Sequence, residues 1–190
     1  GNEVLLAQSG DERLTVRLDT RPSSPVTSTG ILNAGVIEAT QAELKAANGN
    51  LYALAINNEG SIRAAAMVNQ GGRILLTSEG GRISNTGVLA ARQANGNGGF
   101  IQLKTQNPEL GTLNPEPSTV LNSGTIDVRG DAPGANGGTV HLLGDHVGLL
   151  DGSLVDASGN ADGGTILVGG DYQGKNPAIQ NARVTFVAPG

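Results

Sequence analysis

The chain has 190 residues, 30 of them glycine, no cysteine and a formal net charge of −5. This composition excludes disulfides and cysteine zinc sites, and mild acidity without a cluster of Lys and Arg argues against a nucleic-acid partner. Only four residues are aromatic, so a core must be filled by small aliphatic side chains. No apolar run approaches the length of a membrane span and no basic-then-apolar start is present, so we expect neither a transmembrane helix nor a signal peptide in this stretch.

A short phrase, Asn-x-Gly-x-apolar-x-small, recurs along the chain. A second phrase, a glycine pair followed by an alternating apolar run, begins at positions 71, 98, 137 and 163. The first phrase recurs at intervals of 25, 27, 37 and 29 residues. A period of about 26 residues predicts a solenoid. The first phrase starts at Asn33, Asn58, Asn85 and Asn122, and in a degenerate fifth copy at Asp151.

Within each period, apolar residues alternate with polar or small ones, which is the period of a strand. The segment 39–49 has some helical character, but its spacing is poor for an amphipathic helix. One short strand cannot bury its apolar face alone, whereas stacked strands from successive coils can. Strict hexapeptides, which mark the left-handed form, are missing. The sequence therefore predicts an all-β, right-handed parallel β-helix of about seven coils, each of about 26 residues.

Stacking at the ordinary strand spacing of about 4.8 Å predicts columns of equivalent residues. We expect Asn amides at one corner to hydrogen-bond from coil to coil, and the glycine pairs to form corners. Tyr52 is predicted to lie inward, level with Ile74. The predicted inward columns are Ile37, Ile62, Leu89, Ile126, Val155 and Ala39, Ala64, Ala91, Val128, Ala157; the outward column is Glu38, Arg63, Ala90, Asp127, Asp156.

One interval of the repeat is about ten residues longer than the others. Both phrases place the extra residues in segment 104–120, which holds three of the eight prolines. Proline removes a ladder donor, so we predict a loop excursion from an otherwise regular coil in this segment.

The glycine-rich stretches are not nucleotide loops, because none has the G-x-x-x-x-G-K-[ST] pattern and none opens a helix. Val140 and Leu142 take inward positions, so His141 is expected to point outward, and no third ligand is evident for a metal pair with His146. Calcium favours several oxygen ligands, but the calcium-loop repeat is absent. Two interpretations stay open for five aspartates that lie among glycines: they are calcium ligands or solvated turn residues. These are Asp145, Asp151, Asp156, Asp162 and Asp171.

Parallel β-helices also host polysaccharide lyases and hydrolases, which need paired carboxylates or a base beside acidic cation ligands. Asp127 and Asp156 are neighbours if the coils stack in register, and Arg129 is the one Arg or Lys residue that flanks them. A mixed-charge solvated face is the alternative. We assign no catalytic, cofactor-binding or metal-binding residue and no cofactor.

Several phrases resemble the two-partner-secretion exoproteins of the filamentous haemagglutinin type. They are "LAINNEGSIRA" (54–64), "GGRILL" (71–76), "GTIDVRG" (124–130) and, most specifically, "DGSLVDASGNADGGTILVGGDYQGKNP" (151–177). The resemblance covers roughly residues 30–190. It implies a β-helical adhesin or toxin carrier, exported through an outer-membrane barrel partner and secreted or held at the cell surface.

The chain starts within the repeat pattern and stops in "VTFVAPG" without a capping element, so we expect residues 1–190 to form a single β-helix segment of a longer protein. Three functions stay open. The first is a structural and adhesive segment, a stiff spacer and surface-binding stalk that contacts a host or neighbouring cell, carbohydrate included. The second is a β-helical polysaccharide-active enzyme. The third is a self-associating, fibre-forming module.

Overall fold

The computed structural model of the chain describes residues 2–6, 13–18, 29–46, 54–65, 72–106 and 117–189, and the side chains of 30–46, 55–65, 72–106 and 117–189. Within these residues all extended regular structure is β-strand, apart from a 3₁₀ turn at Tyr172–Gly174. The predicted all-β class is confirmed. Segment 39–49 contains a strand, as its poor helical spacing favours.

The strands form three sheets. Sheet A has seven strands, and its order follows the order of the chain. In sequence order across the sheet they are β1 (Asn2–Leu6), β2 (Arg13–Leu18), β5 (Gln41–Ala46), β8 (Arg73–Glu79), β11 (Phe100–Gln106), β14 (Thr139–Leu143) and β17 (Thr165–Val168). The first strand is antiparallel to the second, and every later pair is parallel.

Sheets B and C contain only parallel pairs. Sheet B consists of β3 (Thr29–Asn33), β6 (Leu54–Asn58), β9 (Arg82–Asn85), β12 (Thr119–Asn122), β15 (His146–Leu149) and β18 (Val184–Val187). Sheet C consists of β4 (Val36–Ala39), β7 (Ser61–Ala65), β10 (Val88–Arg92), β13 (Thr125–Asp127) and β16 (Leu154–Asp156).

The chain visits sheet B, then C, then A in every turn, which makes the fold a parallel β-helix. The described residues hold five complete coils, from β3 to β17, with β2 before them and β18 after them. The expected number of about seven coils applied to the whole chain. Seven strands at the usual spacing make sheet A about 29 Å long. The right-handed sense stays a prediction, in keeping with the handedness of parallel crossovers.

The predicted inward columns are confirmed. Strand pairing places Ile37, Ile62, Leu89, Ile126 and Val155 in register in sheet C. The three central members are completely buried. Each such side chain contributes about 1.5–3 kcal/mol through burial, so aliphatic stacking replaces the aromatic packing of an ordinary core.

An asparagine ladder runs along the corner between sheets B and C. Asn33 Nδ2 donates to Asn58 Oδ1 at 2.7 Å, Asn58 to Asn85 at 2.7 Å, and Asn85 to Asn122 at 2.6 Å. Asn122 Nδ2 then donates to Ser153 Oγ at 2.6 Å. The ladder satisfies amides that are otherwise cut off from water.

The degenerate fifth copy of the phrase, which begins at Asp151, does not place Asp151 in register with Asn122. Leu149 pairs with Asn122, and Asp151 is exposed. In the fifth coil six residues separate Leu149 from Val155, whereas four separate the equivalent Asn122 and Ile126. A turn at 150–152 takes up the difference, and the ladder ends on a hydroxyl.

The glycine pairs form corners, as predicted, because successive coils approach each other closely there. The second glycine of each pair enters sheet A. A Cβ on Gly138 would overlap the carbonyl oxygen of Gly99, and one on Gly164 would overlap that of Gly138. Of the stacked Gly72, Gly99, Gly138 and Gly164, only Gly72 has a left-handed φ, so close approach is what requires glycine at most of these corners.

The predicted excursion at 104–120 is narrower than expected. Residues 104–106 belong to β11 and residues 119–120 to β12, and residues 107–116 lie outside the described residues. A second excursion, 169–183, leaves the same corner between sheets A and B two coils later. Tyr52, which was predicted to lie inward and level with Ile74, lies outside the described residues.

Candidate functional site

Asp127 and Asp156 are register partners on the outer face of sheet C, as the sequence predicted. They do not form a free carboxylate pair. Asp127 Oδ2 lies 2.8 Å from Arg92 Nη2 and 3.0 Å from Arg129 Nη2. Arg129 Nε lies 3.6 Å from Asp156 Oδ2. Each carboxylate therefore faces a guanidinium.

The cluster joins three successive coils. Arg92 belongs to the third coil, Asp127, Arg129 and Asp131 to the fourth, and Asp156 to the fifth. Arg92 Nε also contacts Asp131 Oδ2 at 3.3 Å, and its Nη1 donates to the backbone oxygen of Asp127 at 3.0 Å. These ion pairs and hydrogen bonds therefore hold the third, fourth and fifth coils together on the outer face of sheet C, and we call this group of residues the clamp.

The electrostatics of Asp127 do not suit a catalytic acid. Burial, the largest influence, raises the pKa of its carboxyl, but hydrogen bonds from Arg92 and Arg129 together outweigh burial and hold the pKa below its ordinary value. Asp127 is therefore ionised at neutral pH and carries no proton to donate to a leaving group. Its contribution to stability is present above the unfolded-state pKa of about 3.8 and is lost as the pH falls through the lowered folded-state pKa.

Sequence reasoning identified Arg129 but missed Arg92 and Asp131. Arg92 lies two residues after Ala90, the direct partner of Asp127 in the preceding coil. Its long side chain reaches diagonally to the next coil, as neighbours two residues apart on adjacent strands do. The sequence feature that could have identified Arg92 is its position in the preceding coil, two residues after the register partner of Asp127.

His141 points outward between the buried side chains of Val140 and Leu142, as predicted. Its ring meets the Phe100 ring edge-on at a centroid distance of 5.2 Å, and the Arg73 guanidinium lies 5.0 Å from the centre of the Phe100 ring. Burial lowers the pKa of His141, and Asp171 opposes part of that shift. The imidazole is therefore a neutral part of an aromatic stack on sheet A.

The two histidines do not form a pair. His141 lies in sheet A, while His146 begins the following strand in sheet B. The part of the chain that the structure describes contains no group of three His, Cys, Asp or Glu side chains arranged to hold a metal ion.

The five aspartates considered for calcium have separate surroundings. Asp145 Oδ2 accepts from Ser118 N and Oγ at 3.1 and 3.0 Å, and Asp171 Oδ1 accepts from Tyr172 N at 2.8 Å. Asp156 accepts from Ser158 N at 2.9 Å and contacts Arg129. Asp151 and Asp162 are exposed. Asp145, Asp151, Asp162 and Asp171 therefore lie in turns or bends between strands, whereas Asp156 lies in β16.

A cavity of about 520 Å³ opens at the end of the β-helix that β16, β17 and β18 form. Sequence reasoning did not locate it. Its lining is largely aliphatic, with Asp151 as its one ionisable side chain: Leu149, Leu150, Asp151, Gly152, Ser153, Val155, Ile166, Val187, Ala188 and Pro189. This cavity therefore lacks a positioned acid and base.

Among the described residues, none lies in a helix long and apolar enough to cross a membrane.

Comparisons with known proteins add no family to this description. No protein-family model, no curated protein and no solved structure matches the chain.

Proposed function

We propose that the chain is a structural and adhesive β-helical segment of a large secreted or cell-surface protein of the filamentous haemagglutinin kind, a stiff spacer that also carries surface-binding loops. Export through an outer-membrane barrel partner belongs to the same proposal, through the resemblance of the repeat phrases. The observation that carries it is the register of the core through five coils, together with the asparagine ladder that joins the first four coils and ends on Ser153 of the fifth.

Stiffness follows from this register. Each coil is joined to the next by three parallel strand pairings and by stacked aliphatic side chains. Buried hydrogen bonds between asparagine side chains also join the first four coils, and a hydrogen bond from Asn122 to Ser153 joins the fourth to the fifth. In a solenoid, bending must break such contacts between neighbouring coils, because no contacts between distant coils replace them. Arg92, Asp127 and Arg129 add a clamp on the outer face.

The two excursions are the part best placed for binding. Both leave the corner between sheets A and B, and Asp145 holds the base of each. Its carboxylate accepts from Ser118 at the end of the first excursion. Its backbone oxygen accepts from Arg183 N at 2.7 Å and Val184 N at 3.1 Å at the end of the second. Loops held on a rigid scaffold are common sites of recognition.

The second excursion also presents an exposed aromatic side chain. Tyr172 is 77% exposed, and Gln173 Nε2 lies 3.2 Å from its hydroxyl. Gln173 has φ of +57°, an unusual conformation for a residue with a side chain. Asn181 Nδ2 donates to Gly174 O across the loop at 3.4 Å, so the loop is held by its own contacts.

The proposal includes the absence of catalysis. The Asp127 and Asp156 carboxylates are each engaged by arginine, and the aliphatic cavity at the end of the β-helix lacks a second ionisable group. Incubation with pectic, alginate and glucan polymers, with and without calcium, should release no product. Product release by the unmodified chain that is lost in both the Asp127→Asn and the Asp156→Asn variants would contradict the proposal and show that the chain is an enzyme.

Adhesion is tested with the purified chain on cell surfaces and on surfaces coated with glycans. Two variants are compared: one with residues 107–116 replaced by a short Gly/Ser link, and one with Tyr172→Ala. Arg63→Ala, on the exposed face of sheet C, is the control. We expect binding to fall about tenfold or more in at least one loop variant, with unchanged circular dichroism, and to persist in the control. Binding that is absent, or equal in all variants, would contradict the proposal.

A further inference from the structure

Among the described residues, the corner between sheets C and A carries three pairs of asparagine followed by glycine. In such a pair the backbone nitrogen of the glycine can approach the side-chain carbonyl carbon, Cγ, of the asparagine, because glycine has no Cβ to crowd the path. A fourth pair, at 48–49, lies outside the described residues. The described pairs are Asn95–Gly96, Asn97–Gly98 and Asn136–Gly137.

Two of these pairs are bound to the next coil through both groups that would have to react. Gly98 N donates to Asn136 O at 2.8 Å, and Asn97 Oδ1 accepts from Asn136 N at 2.9 Å. Gly137 N donates to Asp162 O at 2.9 Å, and Asn136 Oδ1 accepts from Asp162 N at 3.2 Å. In both pairs, attack of the glycine nitrogen on the side chain therefore requires neighbouring coils to separate.

The third pair is held by hydrogen bonds within its own turn. Gly96 N donates to Gln93 O at 3.0 Å, and Asn95 Oδ1 accepts from Asn97 N at 3.0 Å. Gln93 N donates to Asn97 O at 2.9 Å and closes the base of this turn. Opening the turn releases both reacting groups of Asn95 and Gly96 and leaves the hydrogen bonds between coils intact. Local opening of this kind needs less free energy than the separation of packed coils.

Solvent access does not distinguish the pairs. Asn95 and Asn136 are both exposed. They differ in the partners of their reacting groups, which belong to the same turn for Asn95 and to the next coil for Asn136. The hydrogen bonds therefore rank Asn95 as the most reactive of the three described asparagines.

We propose that Asn95 is a site of spontaneous covalent modification, at which asparagine is converted to aspartate and isoaspartate. Gly96 N attacks Cγ of Asn95, the new N–Cγ bond closes a succinimide ring, and the side-chain nitrogen leaves as ammonia with the proton that Gly96 N loses. Water then hydrolyses one of the two C–N bonds of the ring. Cleavage of one bond gives aspartate, and cleavage of the other gives isoaspartate, in which the chain runs through the former side chain.

The modification changes the surroundings of the clamp. A Cβ on Gly96 would overlap the Cβ of Ala132, so the turn packs directly beside Asp131. The product places a negative charge in this turn, three residues after Arg92, and isoaspartate also lengthens its backbone. This inference goes beyond the proposed spacer function and does not rest on it.

The test follows the three described pairs in one sample of the purified chain, kept folded in mildly alkaline buffer. The tryptic peptide 93–104 carries Asn95 and Asn97, another carries Asn136, and fragmentation in the mass spectrometer assigns each conversion. A sample digested without incubation corrects for conversion during digestion. We expect Asn95 to convert about tenfold or more faster than the other two, because its reaction needs no separation of coils. Isoaspartate at position 95 should accumulate together with aspartate.

Two controls accompany this measurement. In the chain unfolded by urea the three asparagines should convert at similar rates, because each is followed by glycine and the contacts between coils are gone. Asn95→Gln should abolish the modification at this position and leave the rates of Asn97 and Asn136 unchanged, because the longer side chain must close a larger and less favourable ring.

Three results would overturn the proposal. The first is a folded chain in which Asn95 converts no faster than Asn136. The second is conversion of Asn95 to aspartate without isoaspartate, which would exclude attack by Gly96 N. The third is an unfolded chain that keeps the same ratio of rates as the folded chain, because the hydrogen bonds between coils would then not be the cause.

Discussion

Asn85 donates a hydrogen bond from its side-chain Nδ2 to Asn122 Oδ1 at 2.6 Å, although 37 residues separate the two. This interval is the longest in the repeat, and the bond is as short as those across 25 and 27 residues. The extra residues therefore leave the register at this corner unchanged. They are accommodated on the opposite side of the coil, where sheet A passes into sheet B.

Replacing Asn85 by alanine should destabilise the fold. The change leaves Asn58 Nδ2 and Asn122 Oδ1 without their buried partner, and a buried polar group without a partner costs about 1–3 kcal/mol. Urea unfolding measures the loss of stability. Ser84→Ala, one residue earlier on the same strand and outward-facing, should change it little. Equal effects of the two variants would contradict the assignment of the ladder.

Ile126→Asp should be severely destabilising. Ile126 is completely buried between Leu89 and Val155, so the new carboxylate lacks both water and a partner, at a cost of several kcal/mol. Thr125→Asp introduces the same group one residue earlier, on the outward side of β13, and should cost much less. Thermal unfolding followed by circular dichroism compares them, and similar melting temperatures would argue against the inward column.

Gly138→Ala tests the reason for the glycine pairs. The new methyl group would overlap the carbonyl oxygen of Gly99, and relieving such overpacking costs about 1–3 kcal/mol. At Gly163 a Cβ meets no heavy atom within 4 Å and the φ is not left-handed. Gly163→Ala should therefore be neutral or slightly stabilising in chemical unfolding. A destabilisation at Gly163 as large as that at Gly138 would exclude close approach as the cause.

Stability should depend on pH through His141. Burial lowers its folded-state pKa below 6.5, against a smaller opposing effect of Asp171. The unfolded state then binds more protons in this window, so stability falls as the pH drops from about 6.5 toward the folded-state pKa. An NMR titration should place its midpoint below 6.5. His141→Gln should remove this part of the pH dependence, whereas His146→Gln should retain it. A His141 midpoint above 6.5 would reverse the predicted sign.

Much of the fold follows from local alternation and from the repeat. The column from Ile37 to Val155 and the ladder from Asn33 to Asn122 were both predicted, and the strand pairing confirms them. Alternation decides which side chains face inward, and translation by one coil decides which of them stack. The alternation and the repeat length are both visible in the amino-acid sequence, so the inward residues and their stacking partners can be predicted from the sequence alone.

Features that depend on the length and path of the corners between sheets could not be predicted from the repeat. The degenerate fifth copy of the repeat begins at Asp151, but the turn at 150–152 puts Leu149 in register with Asn122, and Ser153 accepts the hydrogen bond that ends the ladder. The second excursion has no counterpart in a simple repeat interval. The number of residues in a corner varies from coil to coil, so only the tertiary structure shows which residue of the next coil lies in register with the ladder.

The chemistry of the candidate site was also decided by tertiary structure. The sequence by itself determined that Asp127 and Asp156 lie on an outward face and are neighbours if the coils stack in register, and the strand pairing shows that register. Whether they form a reactive pair depends on Arg92, which reaches Asp127 diagonally from 35 residues earlier. Long, flexible side chains bridge coils along directions that no sequence spacing specifies, and here such contacts turn two carboxylates into part of a clamp.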